Sequence, residues 1–168
     1  AAAAAAPPAQ PVADVSAAVA SGPTSYPGDN APKEQLAAWM AAEAQARGLP
    51  PQLPVMAGLV ESGLKNLNYG DADSVGFFQM RVGIWNQGAY AGYPDKPELQ
   101  LKWFLDQAAA VKRQRIVAGK PIDDPAHFGE WVADVERPAE QFRYKYQTRL
   151  DEANNLLRSA NAAQPAAP

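Results

Sequence analysis

Glu61-Ser62-Gly63 closes an apolar run, and Gly76-Phe77-Phe78-Gln79-Met80 follows after a stretch rich in Asn, Gly and Asp. A carboxyl group at the end of a buried helix is disfavoured as an anion for two reasons. The helix C-terminus carries partial negative charge, and burial removes the water that solvates a carboxylate. A Glu that keeps its proton near neutral pH is equipped to donate it to a leaving oxygen. The competing reading is an exposed Glu at a helix end with no chemical role, since position alone does not establish burial. Asp71 and Asp73, in the loop that follows, are either a second carboxylate for acid–base work or turn formers bonded to their own backbone. Glu136 is a further candidate. Without a second His or any Cys to accompany His127, no metal site is expected. Asp71-Ala72-Asp73 lacks the Gly and Glu that would complete a calcium loop. No cofactor is expected.

The elements that must hold these residues read as helices. Pro32 opens a segment with Leu36, Trp39 and Met40 on one stripe, stopped by Gly48. Pro50, Pro51 and Pro54 open the helix that carries Glu61; it runs through Val55, Met56, Leu59 and Val60 and ends at Gly63. With Ala57 and Gly58 between them, that helix is apolar nearly all round and should be buried. Residues 66 to 76 read as turns or a short hairpin. Pro97 starts a long helix through Leu101, Phe104, Leu105, Ala108 and Val111, closed by Gly119. Pro125 and Pro138 begin two more, one with Phe128, Trp131, Val132 and Val135, the other with Phe142, Tyr146, Leu150 and Leu157 on one stripe. The fold class expected is mostly α, with a small irregular or β-hairpin insertion after the helix bearing Glu61.

The chain has 168 residues, suited to one domain, with a net charge of −3 and no cysteine. Thiol chemistry, disulfides and Cys-ligated metals are thereby excluded. A chain without overall basic character is not expected to bind nucleic acid. Lys112, Arg113, Arg115 and Lys120 are read as a solvated helix end. No apolar run is long enough to span a membrane. Residues 1–28 and 160–168 are rich in Ala and Pro and are expected to be disordered linkers around a folded unit at 29–159, a monomeric module tethered to other domains.

Glu61-Ser62 and Gly76-Phe77-Phe78-Gln79-Met80 resemble the Glu-Ser and Gly-Leu-Met-Gln motifs of the lysozyme-like soluble lytic transglycosylases. The stretch from Val60 to Asp71 resembles a variant of that domain from actinobacterial cell-wall proteins and their phages, and the similarity runs on through Trp131 and Glu136-Arg137-Pro138-Ala139-Glu140-Gln141. The resemblance implies a lysozyme-like α+β fold. It also implies cleavage of the β-1,4 bond between N-acetylmuramic acid and N-acetylglucosamine in peptidoglycan, outside the cytoplasm or in a phage virion tail. It makes Glu61 the catalytic acid, with Ser62 shaping the site, Gly76 letting backbone approach the sugar, Phe78 standing where the family has a methionine beside the substrate, and Gln79 lining the cleft. The competing reading of Phe77 and Phe78 is core packing, which one of the two is expected to fulfil. Trp85 and Tyr90 are cleft candidates from loop composition, with Tyr90 read first as a surface-loop residue. The family's Ala-Tyr-Asn tyrosine, which bonds the acid, has no clear match; Ala89-Tyr90-Ala91-Gly92 comes too early. The expected reaction is non-hydrolytic with a 1,6-anhydro product. The alternatives are a hydrolytic lysozyme using Asp71 or Asp73, or a wall-binding or virion module without catalysis.

Overall fold

The computed structural model describes residues 12–20 and 22–163. In chain order these form α1 (Val12–Ala20), α2 (Lys33–Ala46), α3 (Gln52–Ser62), a hairpin of β1 (Ser74–Val75) and β2 (Met80–Arg81), α4 (Val82–Trp85), α5 (Pro97–Val117), α6 (Phe128–Glu136) and α7 (Leu150–Ala163). The architecture is mostly α with one two-stranded antiparallel sheet after the helix that carries Glu61. No helix among the described residues is long and apolar enough to cross a membrane.

The core is built around α3, which packs on α2, α6 and α7. Leu53, Val55, Met56 and Ala57 are wholly buried. Each larger side chain there stabilises the fold by about 2 kcal/mol through the apolar surface it removes from water. The exit of α3 is set by two consecutive residues in the left-handed region, Gly63 (φ 65°) and Leu64 (φ 59°). Leucine resists that conformation by about 1 kcal/mol. Leu64 is held there because its amide donates to the Gly58 carbonyl (3.0 Å) and its buried side chain lies over Gly58, where a Cβ would meet it at 2.8 Å. The chain therefore turns back sharply two residues after Glu61.

The ends of the chain differ from the sequence expectation. Residues 12–20, expected to lie in a disordered linker, form α1, which packs on α7 and α2. Val15 and Val19, one helical turn apart, are buried in the core, and these two side chains suffice to seat an otherwise Ala-rich turn. Beyond it, the Tyr26 ring meets Trp39 edge-on at 5.0 Å. At the other end α7 continues through Ala163, and Ala160 is buried. Of the two expected tails, residues 1–11, 21 and 164–168 lie outside the described residues.

The stretch after Pro138 also departs from expectation. It is not one helix: two 3₁₀ turns, Glu140–Lys145 and Gln147–Arg149, precede α7. The change of pitch breaks the expected stripe, leaving Phe142 exposed and Tyr146 buried. Arg115 is likewise no solvated helix end. It is 2% exposed and donates from Nε (3.0 Å) and Nη2 (2.9 Å) to the Pro121 carbonyl, with Glu130 3.6 Å away. It fastens the segment that links α5 to α6.

Candidate active site

Glu61 occupies the last turn of α3, where only part of its side chain remains open to solvent. The Tyr146 hydroxyl donates to Glu61 Oε1 at 2.6 Å, across 85 residues of sequence. Burial pushes the Glu61 carboxyl above its ordinary value of 4.5; the Tyr146 hydrogen bond and the nearby Lys145 ammonium act against that rise without cancelling it. The Tyr146 hydroxyl is itself pushed far up by burial and by the two carboxyls facing it, Glu61 and Glu136, so it stays a donor. A groove of about 320 Å³ lined by Val60, Tyr144, Lys145, Thr148 and Arg149 lies alongside, reaching Glu61's chain neighbour. A half-buried acid, a fixed hydroxyl and a cation beside one groove can deliver a proton to a bound oxygen and stabilise the carboxylate that results.

Ser62 is buried and bonded to backbone on three sides. Its Oγ lies 2.8 Å from the Phe77 carbonyl and 3.1 Å from that of Gly58, and accepts from the Lys65 amide, tying α3 to the hairpin turn. Gly76 is needed, though for a different reason from the one the resemblance implies. Its φ is 90°, and a Cβ there would run into the Gln100 amide. Gln100, fully buried, accepts from the Phe77 amide (2.9 Å) and donates to Asn66 Oδ1 and the Tyr93 carbonyl (both 3.1 Å). Gly76→Ala is expected to lower unfolding stability by about 2–4 kcal/mol, read from urea denaturation, because it combines a left-handed alanine with displacement of that amide.

Phe78, placed beside the substrate by resemblance, is in the core instead, stacked on Phe104 at 4.9 Å; Phe77 is equally buried. Gln79 (φ 52°) spends both amide hydrogens on the loop, donating to the Gly76 carbonyl (3.0 Å) and the Tyr69 carbonyl (3.2 Å). Trp85 packs edge-on against Trp103 at 5.3 Å and near Tyr90. The Tyr90 hydroxyl donates to Asp106 Oδ2 at 2.7 Å, and burial with that carboxylate raises it to about 12. Trp85 and Tyr90 thus brace α5 from the loop side, and neither contacts Glu61.

The loop carboxylates serve the hairpin. Asp73 pairs with Arg81 and accepts from the Gly83 amide (2.7 Å), which holds its carboxyl below the usual range. Asp71 is exposed, and its carbonyl accepts from the Ser74 amide. The second carboxyl near Glu61 is Glu136, at the C-terminal end of α6. We therefore expect Asp73→Asn to lower thermal stability slightly, read from the melting temperature, and to leave the environment of Glu61 unchanged.

Compared with family models, curated proteins and solved structures, the chain finds no significant match.

Tyr146 escaped the sequence reading as a site residue, whereas Glu136 was named there as a further candidate carboxylate. Tyr146 lay on an apolar stripe whose other members reach the core or the surface, so its hydroxyl had no visible partner. Glu136 carried a usable signal: Pro138 disfavours helix at Arg137, so α6 must end on Glu136, the same terminal placement that makes Glu61 conspicuous. Arg137 leaves the helix with φ 52°.

Proposed function

We propose that this protein cleaves the glycan strand of peptidoglycan between N-acetylmuramic acid and N-acetylglucosamine, with Glu61 as the acid. The observation that carries the reading is the Glu61 carboxyl, raised by burial at a helix end and fixed by the Tyr146 hydroxyl at 2.6 Å. That contact supports the catalytic reading over a non-catalytic wall-binding or virion module, because a tyrosine hydroxyl on the acid is what the resemblance calls for and no Ala-Tyr-Asn motif provides.

In the proposed reaction the Glu61 proton passes to the glycosidic oxygen as the C1–O bond breaks. The conjugate base, held by Tyr146 and faced by Lys145, then takes the proton of the muramoyl 6-hydroxyl. O6 closes on C1, giving a 1,6-anhydro end and returning Glu61 to its acid form. One carboxylate serves both steps. The commitment of Asp73 to Arg81 and Gly83 supports this route over hydrolysis by a water held on the loop. Such a substrate places the protein outside the cytoplasm or in a phage tail. The test is a digest of purified glycan strands: products one water lighter than those of hydrolysis are expected. Products that retain the water would overturn the non-hydrolytic route, and no cleavage at all would overturn the function.

A further inference from the structure

The 3₁₀ turns that bury Tyr146 against Glu61 leave its chain neighbours Tyr144, Lys145 and Thr148 exposed. With Arg149 and Val60 they line the groove of about 320 Å³ beside the acid. Val60 precedes Glu61 and Lys145 precedes Tyr146, so the chain neighbours of both members of the 2.6 Å contact wall this groove. Both charged residues in its lining are cations, although the chain as a whole carries −3. Other cations of the fold are engaged: Arg143 binds Asp134, Arg115 binds the Pro121 carbonyl, and Arg47 and Lys102 share Asp106. Lys145 makes no ion pair among the described residues, and its ammonium lies 4.6 Å from the centre of the Phe142 ring, which steadies it. Arg149 gives Nη1 to Glu152 and keeps the rest of its guanidinium fork for another acceptor. Tyr144, 66% exposed, adds an aromatic face to the same lining.

We propose that Lys145 and Arg149 bind a carboxylate on the 3-O-lactyl arm of the muramoyl residue, so that the groove beside Glu61 selects anionic glycan strands over neutral ones. The arm ends in a carboxyl group that is either free or continued by a stem peptide with carboxylates of its own. It leaves the same sugar ring whose C1–O bond is to be broken, and so falls beside the acid. A carboxylate bound there offsets the Lys145 charge that otherwise favours ionisation of Glu61, so the strand itself helps the acid keep its proton. The proposal rests on the reading of Glu61 as the acid of glycan cleavage.

The test uses the full chain carrying Glu61→Gln, so that strands are bound and not cut, with binding of fluorophore-labelled glycan read by anisotropy. Peptide-free strands and peptide-bearing strands are each compared before and after their carboxyls are converted to amides. Amidated strands are expected to bind about tenfold more weakly. Part-exposed ion pairs contribute little singly, so that preference should fall about threefold with Arg149→Gln and vanish when Lys145→Gln is added. A preference seen with peptide-free strands assigns the lactyl carboxyl, and one confined to peptide-bearing strands assigns a stem-peptide carboxylate; either supports the proposal. Equal binding of amidated and untreated strands overturns it, as does a preference that survives both substitutions. Arg149→Gln leaves Glu152 without its partner; should that variant not fold by circular dichroism, Lys145→Gln at its exposed position is read by the same ratio. With Glu61 restored, Arg149→Gln should raise KM on untreated strands about threefold and hold kcat, whereas an equal loss on amidated strands overturns the assignment. Should the parent cleave no glycan, the functional reading fails, while the anisotropy ratio still decides whether the groove selects charge.

Discussion

Glu61→Gln is expected to lower the rate of glycan-strand cleavage by about 10³-fold, the range over which a positioned general acid contributes. Gln keeps the shape of the side chain and can still meet the Tyr146 hydroxyl, but it has no proton to give. The loss should therefore fall on kcat and leave binding of strands to the groove largely intact, as measured by sedimentation with insoluble glycan. Stability should move the other way. A carboxyl whose folded value lies above its ordinary 4.5 contributes fully to stability below that pH, and the contribution is lost as pH rises through the folded value. Above that folded value the parent has lost it, so there the Gln variant should melt at the same temperature as the parent or above it. A variant whose melting deficit against the parent grows as pH rises would mean that the Glu61 anion stabilises the fold, and the assignment of a raised value would fail.

Tyr146→Phe is expected to lower kcat by about 10- to 100-fold through loss of the hydroxyl that orients the acid, because small misplacements of a reacting group cost rates of that order. Its pH profile separates it from a merely structural change. The hydroxyl donates to the Glu61 carboxylate and so favours ionisation; without it the Glu61 titration moves to higher pH, and the alkaline limb of kcat/KM should move with it. A Phe variant with an unmoved alkaline limb would show that the 2.6 Å contact does not act on the protonation of Glu61.

The helices α2, α3, α5 and α6 were legible because Pro and Gly punctuate them and their apolar residues recur at helical spacing. Trp39 and Trp131 were placed on helical stripes by the same rule and are buried there. A small hairpin was legible from the Asn-, Gly- and Asp-rich run at 66–76, but its strands, Ser74–Val75 and Met80–Arg81, lie at and beyond the end of that run. Helix α1 was not legible, because an Ala- and Pro-rich stretch shows no period when two valines do the packing. The region after Pro138 misled for a local reason: 3₁₀ pitch rotates each residue away from where α-helical spacing puts it, which hid the inward turn of Tyr146 and overstated the burial of Phe142. Gly76 and Phe78 carried the right pattern with a different physical meaning. One clears Gln100 and the other fills the core, so motif residues in this chain serve largely to hold the loop next to Glu61. The partner of the acid was legible only in three dimensions.

The 85 residues that separate Glu61 from Tyr146 have a consequence in time. Glu136 and Tyr146 both belong to the last part of the chain, while the helix that carries Glu61 is complete much earlier. A chain emerging from the ribosome, or one truncated before residue 146, holds the acid without its clasp. In chain order the surroundings of Glu61 are thus completed last, by the segment between α6 and α7 rather than by the helix that carries the carboxyl.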